Sequence, residues 1–510
     1  MMFIQWSRLS RAGCYRFSIT TVLSLCLAVF IGFTLHWPLV NDAAYIHYVV
    51  FMLEHHHAPY RDLIDFQMPG TYAVDWLVMH ALGTGALAWR IYDLGLLVLA
   101  GLALFTICRP YGHFAGFYAA SLFAVFHARD GIAQTGQRDL TIAILVLIGV
   151  AVLISQMWRN SLASRLCFGI CLGAATTIKP TAILFLACFY FLPADSAYNT
   201  GRRLRQTLEI ILGLLIAPIA AGLWLLRNHA LRAFWTTAST LVPLHARLGH
   251  ASLAYLFKWA LTPSLLALSC LALACRWIGK IQLPQRRLLF AGTLCGAASY
   301  FMQGKGFPYH RYPAYAFLFP LLTLEFLSAL RKVGATRILG YSGLALGTIT
   351  APLCVSRAVH DRWPMETQAF LTADLRAIAQ PGKIGSLSGH VQCVDSISGC
   401  ATTLYDLNLI QSTGQMQDEL LFAAPPKESS RQAREIADLR RAFLAELIKN
   451  PPKLLIVSPW LFPEGPDSYQ KLQRWPEFLN LLQQRFILRE ERRLAPNING
   501  PAGYRLYVLR

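Results

Sequence analysis

Asp42, Tyr60, Asp65 and Gln67 lie within one stretch, WPLVNDAAYIHYVVFMLEHHHAPYRDLIDFQMPGTY (37–72), that follows the first apolar run of the chain. A carboxylate about six residues beyond an apolar helix sits where hydrocarbon gives way to water, a depth at which charge is costly and marks a functional-site hypothesis. In that position it can take the proton of an attacking hydroxyl. Cations recur in the later outward-facing segments. ARDGIAQTGQRDL (128–140) carries Arg129, Asp130, Gln134, Gln137, Arg138 and Asp139, and Lys179 precedes a proline. Arg227, Asn228, His229, Arg232, His245, Arg247 and His250 follow, and QGKGFPYHRYP (303–313) adds Lys305, His310, Arg311 and Tyr312. If these segments converge, a phosphorylated lipid finds cations for its phosphate and a carboxylate for an acceptor hydroxyl.

The elements that must position these residues are membrane spans. The 510 residues are 55% hydrophobic and 14% charged, with mean hydropathy +0.42. Soluble domains carry roughly 25% charged residues, so the composition is that of a polytopic membrane protein. Apolar segments fall at about 19–36, 90–108, 113–128, 140–158, 166–178, 180–193, 207–226, 254–275, 288–303, 313–330 and 338–355. They predict about eleven transmembrane helices. The net charge of +19 is uneven: residues 356–510 hold 19 basic and 16 acidic residues, so residues 1–355 carry a balance of +16. That excess favours anionic lipid or phosphate partners. Nucleic acid is not a partner, since the tail has no basic groove interleaved with aromatics.

Alternate loops hold the basic residues Arg8, Arg11 and Arg16; Arg109; Arg159 and Arg165; Arg202, Arg203 and Arg205; Arg276, Lys280, Arg286 and Arg287; and Arg331, Lys332 and Arg337. Asp195 is the one acid among them. The bias places the N-terminus in the cytoplasm and the C-terminal tail outside. The first run, preceded by arginines, is read as a retained anchor: it is too long for a signal-peptide core, and HWPLVND offers no cleavage site. Lys179-Pro180 breaks 166–193 into an outward and a returning segment. Residues 71–83, between Pro69 and Gly83, are expected to lie along the outer surface as an interfacial helix.

Residues 1–355 thus form a membrane domain with a long first outer loop (37–89), and residues 356–510 a soluble α/β domain. In the latter, 383–388, 453–460, 486–491 and 503–509 read as strands. Residues 430–449 read as an amphipathic helix with Ala433, Ile436, Leu439, Phe443 and Leu447 on one face. Ten of the 12 cysteines sit in or beside apolar spans. Cys393 and Cys400 do not, and an exported tail suits a disulfide between them. No cofactor is implied, and a divalent metal finds no support in the residue pattern.

Each candidate also has a purely structural reading. Asp42 suits a helix N-cap, and Arg138 and Asp139 suit a pair at a helix start. Lys179 suits an interfacial lysine; His310 and Arg311 suit an anchor within an aromatic belt. His55, His56 and His57 do not share a helix face and are no metal site. The histidines of 227–250 are read as a solvated loop. Asp93 and Glu325, inside spans, require neutralising partners that the sequence does not identify.

A first span, an outer-loop acid, the element APYRDLIDFQMPG (58–70), an Asp at the start of a later span, the IKPT break (178–181) and a tail ending in YRLYVL together resemble the GT-C superfamily of polyprenyl-phosphate-sugar-dependent glycosyltransferases. Within it the chain is most similar to bacterial relatives of protein mannosyltransferases and of the lipid A aminoarabinose transferase. The resemblance covers the whole topology through short motifs. It implies inverting transfer of one sugar from a polyprenyl phosphate to an extracytoplasmic glycan, lipid or protein, in an integral protein of the bacterial inner membrane.

In that reading Asp42 matches the first-loop acid and is the general base. Asp139 matches the acid before the fourth span, and Lys179 the cation at the helix break. Ala43 stands where relatives often have a second acid, which removes the motif for a metal there. Gln67, Met68 and Pro69 stand where a basic residue often precedes two prolines. Phosphate binding therefore falls to Arg138, Lys305 or Arg311 beside Lys179, with Tyr60, Asp65, Gln67 and His310 as substrate-binding candidates. A transporter or flippase of lipid-linked sugars is the rival class; a lipid-linked glycan ligase or polymerase, using a diphosphate donor, is the rival enzyme.

Overall fold

The computed structural model describes residues 2–155, 157, 161–192, 200–379, 382–395, 398–423, 431–463, 465–466, 469–493 and 503–510. Arg159, Asp195 and Ser430, used above, lie outside these residues, as do the side chains of Arg8 and Arg11. The fold divides into two compact units. One comprises Met1–Trp37, Gly85–Ala220 and Ala251–Asp361; the other comprises Pro38–Thr84, Ala221–His250 and Arg362–Arg510. The second unit therefore gathers two earlier segments of the chain with the tail, where the sequence reading drew a single cut at 355/356.

The first unit is helical. Among the described residues five helices are long and apolar enough to cross a membrane, or six if the bent pair Leu253–Ala260 and Pro263–Gly279 is one span. The chain is an integral membrane protein by these helices. Their burial sorts them: the apolar window of Pro308–Ala329 is 83% buried, that of Gly201–Arg227 only 22%. The first is a central helix. The second exposes Leu208, Leu212, Ile216, Ile219 and Leu223, a surface stable only against lipid. The shorter helices Arg138–Ile154 and Leu162–Ile178 are equally apolar, with Lys179 extended (φ −147°, ψ 125°) at the break before a 3₁₀ turn, Pro180–Leu186. The segment 254–275, read as one span, is instead bent by 74° between Ala260 and Pro263. Pro263 has no N–H for a continuing helix, and Thr262 caps a new one by accepting from the Leu265 amide.

Apolar helices in lipid gain little from hydrophobic burial against one another, so close packing decides their contacts. A Cβ at Gly169 would lie 2.1 Å from the carbonyl of Ile210, and one at Gly173 2.2 Å from that of Leu214. Glycine at both positions lets Leu162–Ile178 and the helix starting at Thr200 meet backbone to backbone. The two intramembrane acids have partners close in the fold. Glu325 accepts from Arg286 Nε at 2.6 Å and NH2 at 3.0 Å. Asp93 pairs with Arg90, accepts from His127 Nε2 at 3.1 Å, and takes the Gly136 amide at 2.6 Å. Arg90 also donates to Thr34 and faces the rings of Phe30 and Trp37 at 4.8 and 5.0 Å. The network pins the 131–137 turn to three helices.

The second unit carries a four-stranded sheet of β1 (Val391–Val394), β2 (Leu454–Val457), β3 (Phe486–Arg492) and β4 (Tyr504–Leu509), ordered β1-β2-β4-β3. β1 and β2 are parallel, with Cys393 opposite Ile456; the other pairs are antiparallel, with Leu455 opposite Tyr507. The central LLIV run is buried on both faces, as a parallel-flanked strand should be. Arg431–Lys449 buries Ile436, Phe443 and Leu447. Residues 383–388 form no strand: Ile384–Leu387 is a 3₁₀ turn, and pairing begins at Val391, beyond Gly389 at φ +74°. The two glycines and two serines of KIGSLSG favour turn over ladder. Pro69–Ala81 is helical, burying Tyr72, Asp75, Val78 and Met79 and exposing Trp76 and Leu77.

Gly173→Ala is expected to destabilise the protein by about 1–3 kcal/mol, because the clash is with backbone and cannot be turned aside. Gly222→Ala, with nothing within 4 Å of the new methyl, should leave stability equal or slightly raised. Thermal unfolding of both in detergent checks the contrast.

Candidate functional site

Within the first unit, three segments bring together residues far apart in sequence. Asp139 sits in the first turn of Arg138–Ile154 and is fully buried. Lys179, placed by the break before Pro180, forms an ion pair with Asp139 Oδ2 and donates to Gln303 Oε1 at 2.5 Å. Gln303 closes the ring by donating from Nε2 to Asp139 Oδ1 at 3.2 Å. Ser299, one turn earlier on the same helix, meets Thr181 Oγ1 at 2.8 Å. Asp139 thus holds the ammonium of Lys179 in place, and the ammonium lies 5.4 Å over the ring of Tyr309.

His310 follows Tyr309 in the 3₁₀ turn Pro308–Arg311. It is 3% exposed, and its Nδ1 has no hydrogen-bond partner. Four cations act on its imidazole: Lys179, Lys305, Arg138 and Arg311. Lys305 is carried on a turn between Gly304 (φ +66°) and Gly306 (φ +73°), conformations that cost a side chain about 1–2 kcal/mol each. Arg138 opens its helix, where the backbone amides add positive potential. Arg311 is held on three sides. Its Nε, NH1 and NH2 already donate to Pro308 O, Trp259 O and Asp130 Oδ1 at 3.0, 2.7 and 2.7 Å. It supplies charge to the cluster from a locked position. Lys179, Lys305, Arg138 and Arg311, set against Asp139 and Asp130, leave an excess of positive charge around a buried neutral ring system. Such an arrangement attracts a phosphate.

Within the second unit, Asp42 lies in the first turn of Asn41–Glu54 and is half-buried. The N-cap is Val40, with no side-chain cap, so Asp42 is not the capping residue that its type suggested. Its carboxylate stands at the positive end of the helix. Asp65 is occupied by its surroundings: it accepts from Tyr45 OH at 3.0 Å, Tyr72 OH at 2.7 Å, Gln417 Nε2 at 3.0 Å and the Phe66 amide at 2.8 Å. Burial, then the nearby Asp65 charge, pushes both phenols well above their usual pKa, so they remain donors. Tyr60, at φ +62°, donates to Gln67 O at 2.6 Å. Asp65, Tyr60 and Gln67 together fold the first loop, and Gly414 fits beneath it where a Cβ would fall 1.5 Å from Asp62 O.

His245 is held, contrary to a solvated loop. It lies 2.8 Å from Glu419 Oε1, stacked between Phe66 (3.9 Å) and Phe462 (5.2 Å). The apolar periodicity of 241–248, with Leu241 and Leu244 buried beside Phe66 and Ile436, was its available signal. Cys393 and Cys400 form a disulfide with Cα atoms 5.9 Å apart. Gln303 and Gln417 were not foreseen. A Gln closing an apolar helix just before Gly-Lys-Gly was a signal for the first; the second had none. Among the described residues no three His, Cys, Asp or Glu side chains converge as a metal site, and no step below is routed through a metal.

No family model and no curated protein matches this sequence. Among solved structures the chain is similar to ArnT from Cupriavidus metallidurans bound to undecaprenyl phosphate, at 13% identity and TM-score 0.59, over 96% of this chain and 97% of that one. The apo state of the same protein aligns with the same TM-score and coverage at 12% identity. The Archaeoglobus fulgidus oligosaccharyltransferase in complex with Zn and sulfate aligns at 12% identity and TM-score 0.50, over 95% of this chain and 72% of that one. These likenesses carry the fold. The chain has an ArnT-like fold along nearly its whole length.

Lys179→Met leaves Asp139 as a buried charge without its cation and is expected to cost about 3–5 kcal/mol of stability. Adding Asp139→Asn should recover more than half of that loss. A double-mutant cycle from unfolding in detergent measures the coupling.

Proposed function

We propose that this protein is a membrane glycosyltransferase that moves one sugar from a polyprenyl phosphate to an acceptor outside the cytoplasm. The observation that carries the reading is the cation cluster around His310, on a fold shared along nearly its whole length with ArnT bound to undecaprenyl phosphate. Lys179, Arg138 and Lys305 hold the phosphate that links lipid to sugar, with Arg311 adding charge from behind. Asp139 and Gln303 are positioning residues that hold the Lys179 ammonium in place.

The reaction is one displacement at the anomeric carbon. Asp42 takes the proton of an acceptor hydroxyl; the oxygen forms a bond to the anomeric carbon from the face opposite the phosphate. The carbon–oxygen bond to the phosphate breaks, and its electron pair leaves on the phosphate. The leaving group gains one negative charge, and fixed cations stabilise that charge without giving up a proton. Inversion at the anomeric carbon follows from a single displacement. Tyr60, Asp65 and Gln67 shape the loop that carries Asp42. The apolar segments assign about eleven crossings, with the N-terminus in the cytoplasm and the tail outside a bacterial inner membrane, Pro69–Ala81 lying along its outer surface.

Asp42→Asn is expected to lower transfer by roughly 10²–10⁴-fold, the usual contribution of a general base, while undecaprenyl phosphate binding is unchanged. Analysis of envelope lipids and glycans by mass, from cells with and without each form, reads the product. A variant that still transfers sugar would remove Asp42 from the mechanism. Turnover of diphosphate-linked but not monophosphate-linked donors would make the protein a ligase or polymerase.

A further inference from the structure

A second site lies within the tail-bearing unit, beside the start of the helix that carries Asp42. A shallow, open cleft is bordered on one side by Asn41 and Tyr45 and on the other by Trp363, Gln368 and residues 398–402. Among the described residues no Lys or Arg lines it, so its chemistry differs from that of the cation cluster. The walls combine a half-buried indole with an amide, hydroxyls and a carboxylate.

The polar groups are set in advance. Gln368 Nε2 donates to Asp406 Oδ2 at 2.5 Å, which fixes the amide and leaves Oε1 as an acceptor. Ser398 is 7% exposed, and its Oγ has no hydrogen-bond partner. A buried hydroxyl of that kind costs about 1–3 kcal/mol unless something bonds to it. Asp395 accepts from the amides of Ser398 and Cys400 at 2.8 and 3.0 Å, and the Cys393–Cys400 disulfide ties the turn to β1. Gly399, at φ +109°, keeps the wall bare: a Cβ there would have no neighbour closer than 3.9 Å.

We propose that this cleft binds a carbohydrate ring of the acceptor, stacked on Trp363 with its hydroxyls on Gln368, Ser398 and Asn41. An indole face takes the C–H face of a sugar, and fixed amide and hydroxyl groups take its ring hydroxyls. An acyl chain would leave the buried Ser398 hydroxyl unbonded, and a phosphate would meet the Asp395 carboxylate in a lining that has no Lys or Arg among the described residues. That the ring belongs to the acceptor rests on the glycosyltransferase reading; that a carbohydrate binds here does not.

Saturation-transfer NMR on the full chain in detergent tests this, with methyl glycosides of glucose, galactose, mannose, arabinose and N-acetylglucosamine as probes. At least one glycoside should show transfer in the native protein, reduced fivefold or more in both Trp363→Ala and Gln368→Ala. Undecaprenyl phosphate binding should stay unchanged in both, which reports an intact fold; if Trp363→Ala does not fold, Gln368→Ala and Thr402→Val decide. No transfer to any probe, or transfer equal in native and variant proteins, overturns the cleft assignment. Binding here in a protein that moves no sugar from any lipid donor would overturn the transferase reading and leave the cleft standing.

Discussion

A lysine ammonium cannot stand in a membrane domain without a counter-charge, and here Asp139 supplies it. The pair is formed by two helix ends, the first turn of Arg138–Ile154 and the break after Ile178, with Gln303 bonded to both members. Much of the first unit follows from that requirement. The break must fall at Lys179, so Pro180 ends the helix there. The helix Arg286–Gln303 must end where its last residue reaches both partners. The turn before Asp139 must be fixed, and the buried Arg90–Asp93–His127 network fixes it through the Gly136 amide. A buried ion pair contributes little net stability, but one member without the other is severely unfavourable. The pair therefore sets geometry more than it adds stability.

In the second unit hydrogen bonds hold the buried acid Asp65. Asp65 is surrounded by two phenols, an amide and a backbone N–H, drawn from the first outer loop and from the tail. Hydrogen bonds of this number suffice for a buried carboxylate. They also commit it: Asp65 has a structural task. The tail closes over the loop through Gly414 and Ile64, whose amide donates to the Gly414 carbonyl at 2.8 Å.

The helices, the break at Lys179 and three of the four strands were legible because local signals carry them: apolar runs, a proline, alternation flanked by turns. The cations at 138, 179, 305 and 311 were legible as types. Their roles were less so. Arg311 reads like any other outward arginine, and only the position of Asp130 and the Trp259 carbonyl shows that it is already held. The structural alternative for Asp42, a helix cap, fails because the cap falls two residues earlier at Val40, with Asn41 at φ +54°. Gln303, Gln417 and Glu419 act across more than 100 residues of sequence on Asp139, Asp65 and His245. No local pattern announces a partner at that distance.

The proposed reaction divides the labour between fixed cations for a leaving phosphate and a base for an incoming hydroxyl. The most direct measurement of the central claim is the affinity of the full chain in detergent for undecaprenyl phosphate against undecaprenol, with the single variants Arg138→Gln and Lys305→Gln and with both together. The account predicts that undecaprenyl phosphate binds tighter than the alcohol, and that each substitution weakens the phosphate alone, by about tenfold for a charge-assisted contact of 1.5 kcal/mol. Equal affinity for phosphate and alcohol, or phosphate affinity unchanged in the doubly substituted protein, would contradict it.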